Sequence, residues 1–385
     1  MSDFENNICM PDYRNCLVNL SSSLLRFFGA EPCHETLPLA DRFLAANCSY
    51  QNVVLILLDG MGMKILESNL KPDGFLSRHL AGEYLSVFPP TTVAATTALL
   101  SGLYPCESGW LGWDCYIPAM DRNVTMFRNV DADTDESLGE EDAAHKYYPY
   151  KSIFDRIREA GCQAYAKSPF MEACIPTLEG NLEQAAVLCR RPGRKFIYVY
   201  DPEPDHTMHG CGCSSPEAKA VTEKLEKMLE EFCRTLGQKE DDAAAGRTLV
   251  LITADHGHID VDGAALHSHP EIAECLVRKP SIEPRAKSFF VKKGMEEAFE
   301  KAFQEAFGDT YILYKKEEVL KMGLFGPTQS SREHHDFRNM IGDYLGVARK
   351  DTTFFNTRTE ARKFRSHHAG ITPDEMRIPL IAVSC

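Results

Sequence analysis

The stretch Val53-Val54-Leu55-Ile56-Leu57-Leu58-Asp59-Gly60 contains the longest purely apolar run in the chain, and it stops abruptly at an acid and a glycine. Six consecutive apolar residues without alternation predict a strand covered on both faces, as in a parallel sheet. Three other stretches read the same way: Lys195 to Tyr200 before Asp201, Thr248 to Thr253 before Asp255, and Ile378 to Val383. Helical patterns near Ser152 to Ala160 and Pro216 to Leu236 fall between them. The alternation predicts a doubly wound α/β fold, a mostly parallel sheet with helices on both faces. Ligands of such sheets sit beyond the carboxyl ends of the strands, where this chain puts its acids and histidines.

Working outward, residues 1–48 hold an apolar helical pattern at Leu17, Leu20, Leu24, Leu25 and Phe28, expected to be an N-terminal helical elaboration. Residues 49–259 and 365–385 form the expected α/β core. Residues 260–364 break the rhythm with charged helical stretches at Met295 to Phe307 and Lys316 to Met322, and read as an inserted cap. The acidic segment Asp131 to Asp142 reads as a solvated loop.

Composition narrows the possible functions. The 385 residues are 44% hydrophobic and 25% charged, an ordinary globular balance. A net charge of −14 repels the phosphates of polymeric nucleic acid, which is not an expected partner. No apolar run approaches the roughly 18 residues that a membrane helix requires, so no membrane span is expected. The N-terminus, MSDFENNICM, lacks the basic start and apolar stretch of a secretory signal, and a cytoplasmic location is expected. The 14 cysteines then read as reduced thiols. Cys211 and Cys213 are the only tight pair, with no second pair to complete a zinc knuckle.

Four segments carry chemistry. Asp255-His256-Gly257 follows the strand Leu249 to Thr253, and Gly257 is expected to let the backbone turn sharply so that both preceding side chains face one crevice. In Glu203-Pro204-Asp205-His206-Thr207-Met208-His209, Asp205 and His209 lie one helical turn apart, whereas His206 points away. In Ser366-His367-His368-Ala369-Gly370, either histidine suits a ligand delivered to the same sheet edge. The segment Phe88-Pro89-Pro90-Thr91-Thr92 through Ser101-Gly102 follows a strand expected at Tyr84 to Phe88. It reads as a helix closed by Gly102, with Thr91 or Thr92 at its N-terminus, where exposed N–H donors and the helix dipole can seat a phosphoryl oxygen. Asp59, Asp205, Asp255, His209, His256 and His368 together make six mixed donors, enough for two divalent ions with open positions. Such a set suits zinc, with manganese or iron as competitors.

The ordered set of a strand-end Asp, Phe-Pro-x-Thr-Thr, Ser-Gly-Leu-Tyr-Pro, Glu-Pro-Asp-x-x-x-His, Asp-His-Gly and a late His-x-Gly resembles the alkaline phosphatase superfamily. Within it, the chain is most similar to the nucleotide pyrophosphatase/phosphodiesterase, or type I phosphodiesterase, family. The resemblance implies one zinc held by Asp59, Thr92, Asp255 and His256, and another by Asp205, His209 and His368. It also implies Thr92 as nucleophile, acting on a phosphodiester or pyrophosphate bond of a small molecule such as a nucleotide. Where the family has an asparagine touching the phosphoryl group, this chain has Trp113, so the resemblance leaves substrate class open. Trp110, Trp113 and Tyr116 offer a stacking surface or belong to the core, and His267 and His269 are expected at the surface. The competing readings are a phosphomonoesterase or phosphonate hydrolase built on the same metals, and a metal-binding protein without turnover.

Overall fold

The computed structural model describes residues 7–46, 50–169, 175–237, 247–327 and 332–385. Asn52–Leu58 is buried along its whole length and lies at the middle of a six-stranded sheet. The order across that sheet is Leu80–Leu85, Arg377–Ser384, Thr248–Thr253, Asn52–Leu58, Lys195–Asp201 and Gln163–Lys167. Asn52–Leu58 pairs in parallel with both of its neighbours, and Gln163–Lys167 extends the parallel set. Arg377–Ser384 runs antiparallel to both Thr248–Thr253 and Leu80–Leu85. The fold is therefore the expected α/β architecture with a mostly parallel sheet. Parallel pairing puts the carboxyl ends of the central strands on one edge, so Asp59, Asp201 and Asp255 emerge together.

Several element boundaries differ from the sequence reading. The strand expected to reach Phe88 ends at Leu85, because Val87 to Pro90 turn the chain toward the helix Thr92–Ser101. That helix closes on Gly102 at φ 72°, the left-handed cap expected from its sequence. Helices Leu17–Phe27 and Pro38–Ala46 precede the first strand, and the first of them packs on Thr92–Ser101, with the Ser21 hydroxyl donating to the Leu99 carbonyl. Among the described residues, no helix is long and apolar enough to cross a membrane.

A second, seven-stranded antiparallel sheet draws on both sides of the boundary expected at residue 260. Its order is Tyr311–Lys315, Tyr344–Ala348, Ala286–Phe289, Ser281–Ile282, Asp114–Ile117, Arg122–Thr125 and Val130–Asp131. The two contributions join where Ile282 pairs with Asp114. The expected cap segment thus shares a sheet with a hairpin that follows Trp113, and non-local pairing of this kind leaves no periodic signal in sequence. Helix Glu296–Phe307 covers the sheet through an aromatic cluster of Phe289, Phe299, Phe303 and Phe354.

The two sheets meet at a buried ion pair. Arg285 and Glu375 are both fully buried, with Nε to Oε1 at 2.6 Å and a second bond from Nη2 to Oε2 at 2.9 Å. The Arg285 Nη1 donates to the Thr352 carbonyl, while Glu375 accepts from the Gly370 N–H and the Thr372 hydroxyl. Every face of the pair is satisfied, so losing one partner strands the other in a dry interior. Arg285→Met is expected to lower the unfolding free energy by about 3–5 kcal/mol. Urea denaturation measures this, and a change no larger than that of an ordinary surface substitution would show that the pair does not hold the junction.

Candidate metal and phosphoryl-transfer site

Three segments are stitched together at the carboxyl edge of the central sheet. Asp205 and His209 lie on the short helix Asp205–Cys211, one turn apart as their spacing predicts. Residues Ile259–Asp260 pair antiparallel with Ser366–His367, which brings the Asp255-His256-Gly257-His258 segment beside His367 and His368. The Ser366 hydroxyl donates to the Met208 carbonyl at 2.6 Å, locking the late histidines onto the helix that carries His209. Gly257 works sterically and not through an unusual turn, since a Cβ there would sit 2.0 Å from the Asp374 carbonyl oxygen.

Two clusters of donor atoms result, each with its atoms within 4.8 Å of one another. Asp59, Asp255 and His256 form one; Asp205, His209, His258 and His368 form the other. In the first, His256 Nε2 lies 3.2 Å from Asp59 and 3.6 Å from Asp255. In the second, His209 Nε2 lies 3.3 Å from Asp205, and His368 Nε2 3.7 Å from it. The rings of His256 and His368 stack at 3.8 Å, so the clusters adjoin. All six donors expected from sequence are thus brought together.

The tautomers point the same way. His209 Nδ1 meets the Ser366 carbonyl, His256 Nδ1 the Gly257 carbonyl and His368 Nδ1 the Pro90 carbonyl, at 3.0, 3.0 and 3.2 Å. A carbonyl accepts only from a protonated nitrogen, so in each neutral ring Nε2 keeps its lone pair for the cluster. Asp255 Oδ2 is buried with no hydrogen-bond partner, an orphan that a divalent cation would satisfy. The donor set therefore fits a pair of divalent ions.

The electrostatics show what the chain itself does not neutralise. Burial, then repulsion from Asp205, raises the Asp59 carboxyl above its ordinary range; burial and Asp59 raise Asp255 further. Burial also opposes charge on Asp205, but the electrostatic attraction of His209 and the hydrogen bond from His258 outweigh it and hold this carboxyl well below the usual range. Burial disfavours charge on His256 too, yet Asp255 and Asp59 lift it to about 10. Burial and neighbouring His256 depress His368.

The structure also separates residues that the sequence left as alternatives. Thr91 Oγ1 donates to Glu283 at 2.6 Å, while Thr92 Oγ1 lies 3.3 and 3.4 Å from the two Asp59 oxygens and 3.2 Å from His256 Nε2. His368 joins the second cluster and His367 packs against it. Of the three aromatics considered for stacking, Trp110 is core, its indole N–H bonded to the Tyr148 carbonyl, and Tyr116 lies under Arg278. Trp113 is 40% exposed and lines the same pocket of about 300 Å³ as Thr92, His209 and His368. His267 is exposed and His269 packs on Phe307 and Phe354.

Three contributors escaped the sequence reading. His258 donates to Asp205 at 2.7 Å and was visible only as a second histidine after Asp-His-Gly. Tyr200 donates to Asp59, and Glu283 reaches from the second sheet to grip both Thr91 and the Trp113 backbone N–H. No local pattern announces the last two.

A model of the family described as type I phosphodiesterase / nucleotide pyrophosphatase matches residues 53–370. No functionally curated protein matches the chain. Among solved structures, human ectonucleotide pyrophosphatase / phosphodiesterase 5 is similar at TM-score 0.64 and 17% identity, over 86% of this chain and 87% of that one. The murine protein, inactive and in complex with AMP, is similar at TM-score 0.62 and 16% identity, over 86% and 87% of the two chains. At these identities the likeness is one of fold.

In metal-free protein, Asp255→Asn is expected to raise the unfolding free energy by about 1 kcal/mol, because it removes a buried acid that is crowded by Asp59 and whose Oδ2 has no hydrogen-bond partner. A lower urea midpoint for the variant, measured without metal, would contradict this account of the cluster.

Proposed function

The chain belongs to the type I phosphodiesterase / nucleotide pyrophosphatase family, and on that premise we propose that it hydrolyses phosphodiester or pyrophosphate bonds of small molecules through Thr92. Two divalent ions, zinc in the first instance, would be held by Asp59, Thr92, Asp255 and His256 and by Asp205, His209 and His368. The observation that carries this reading is the Thr92 hydroxyl, which lies against Asp59 and His256 at the mouth of a helix. Divalent cations, when bound there, supply polarisation of the phosphoryl oxygens and lower the proton affinity of hydroxyl and water.

The remaining work falls to the chain. The Thr92 Oγ–P bond forms as the bond to the departing ester or phosphate oxygen breaks, the threonine proton passing to solvent or to the departing oxygen, which leaves a phosphothreonine. A water oxygen then attacks phosphorus, the Thr92 Oγ–P bond breaks, and the hydroxyl takes back a proton. Two inversions retain configuration at phosphorus. Thr91 bonds to Glu283 and not to its own helix, so the first-turn N–H groups of Thr92–Ser101 stay uncapped by that side chain and are available to a phosphoryl oxygen. Tyr200 and His258 hold Asp59 and Asp205 in orientation through their hydrogen bonds. Trp113 stands at the pocket in place of the family's asparagine, and its indole N–H can donate to substrate.

Zinc-loaded protein is expected to hydrolyse bis(4-nitrophenyl) phosphate faster than 4-nitrophenyl phosphate, to lose activity to a chelator and to regain it with zinc. Thr92→Ala is expected to lose about three orders of magnitude or more in kcat while retaining two metal ions per chain by elemental analysis. Full turnover in Thr92→Ala would overturn the nucleophile assignment, and a faster monoester reaction would overturn the diesterase reading.

A further inference from the structure

The pocket that holds Thr92 is walled on another side by the second sheet, and that wall carries a charge the mechanism does not use. Lys287 lies on Ala286–Phe289, is 4% exposed and lines the pocket, and its side chain makes no hydrogen bond or ion pair with any described residue. The ammonium group is not sealed off from solvent: its three donors, unbonded within the described residues, open onto the pocket and can meet an acceptor there. Burial lowers its pKa to about 8, partly offset by Asp114 and Glu360, so it is predominantly a cation at neutral pH.

Each neighbouring acid has one oxygen engaged elsewhere. Asp114 accepts from the Thr125 hydroxyl at 2.6 Å, and Glu283 accepts from Thr91 and from the Trp113 N–H. Glu360 closes the capping box of its own helix with Thr357. Burial raises Asp114 to about 6 and Glu283 to about 7, which weakens their field at the lysine. What these acids do not supply is a hydrogen-bonding acceptor at the Lys287 ammonium, which stays open to one brought by a ligand.

We propose that Lys287 is a specificity-determining residue that seats a second anionic group of the substrate, carried on the part of the molecule remote from the scissile bond. The preferred substrate is then a small phosphodiester or anhydride with a carboxylate or further phosphate, short enough for a pocket of about 300 Å³. The inference rests on the phosphodiesterase reading, and its test separates the two.

Three 4-nitrophenyl phosphodiesters share one leaving group and differ only in the other ester: ethyl, carboxymethyl or 2-aminoethyl. Zinc-loaded wild-type protein is expected to favour the carboxymethyl over the ethyl ester by at least about tenfold in kcat/KM, the worth of one charge-assisted hydrogen bond. That ratio is expected to fall to about one in Lys287→Met and to recover in part in Lys287→Arg, with thermal midpoints confirming that both variants fold; Lys287→Gln replaces the methionine variant if it does not. A wild-type ratio near one, a ratio unchanged by Lys287→Met, or a preference for the aminoethyl ester would overturn the assignment. If none of the three is hydrolysed, the diesterase reading fails on its own. The lysine is then decided by thermal shift with 3-phosphonopropionate against propylphosphonate: greater stabilisation by the former in wild type alone supports the seat, and equal stabilisation overturns it.

Discussion

Asp59, Asp205 and Asp255 bring three carboxylates into one buried region, and the protein does not neutralise them with lysine or arginine. Among the described residues, their ion pairs are with His209, His256, His258 and His368. Like charges this close, out of water, repel strongly, and their pKa shifts in opposite directions express the conflict. The arrangement is sustained by the sheet, whose parallel strands force their carboxyl ends together, and by backbone carbonyls that orient each imidazole. Much of the local structure can be understood as a means of holding this unfavourable set in place for positive ions.

The second sheet takes part in that task from outside the core. Arg285 and Glu375 fasten it to the segment carrying His367 and His368, and Glu375 also bonds to Gly370 within that loop. Between them lies Ala369 at φ 86°, a conformation rarely taken by a residue with a Cβ and tolerated here because the surroundings fix both sides. Glu283, two residues before Arg285, ties the same sheet to Thr91. One short segment thus positions the late histidines and the start of the threonine helix together, and leaves Thr92 as the hydroxyl directed at the donor cluster.

The site is built by two different kinds of constraint. Asp205 and His209 converge through helix geometry alone, and each strand-end acid is placed by its own strand. His256 and His368 stack only because Ile259–Asp260 pairs with Ser366–His367, residues separated by more than a hundred positions. The first kind survives in a one-dimensional reading, and the second does not.

The amino-acid sequence by itself therefore determined the α/β core, five of the acid and histidine donors with a histidine pair for the sixth, and the glycine-capped threonine helix, because each rests on local periodicity or a short motif. Resemblance of the motifs pointed to Thr92 and Trp113, but only the tertiary structure showed which threonine faces the donor cluster and which tryptophan lines the pocket. It alone recruited Tyr200, His258, Glu283 and Lys287, and it alone joined residues 114–131 to 281–348 in one sheet. The physical reason is that burial, hydrogen-bond choice and strand pairing depend on partners distant in the chain, and no spacing within a segment records which partner arrives.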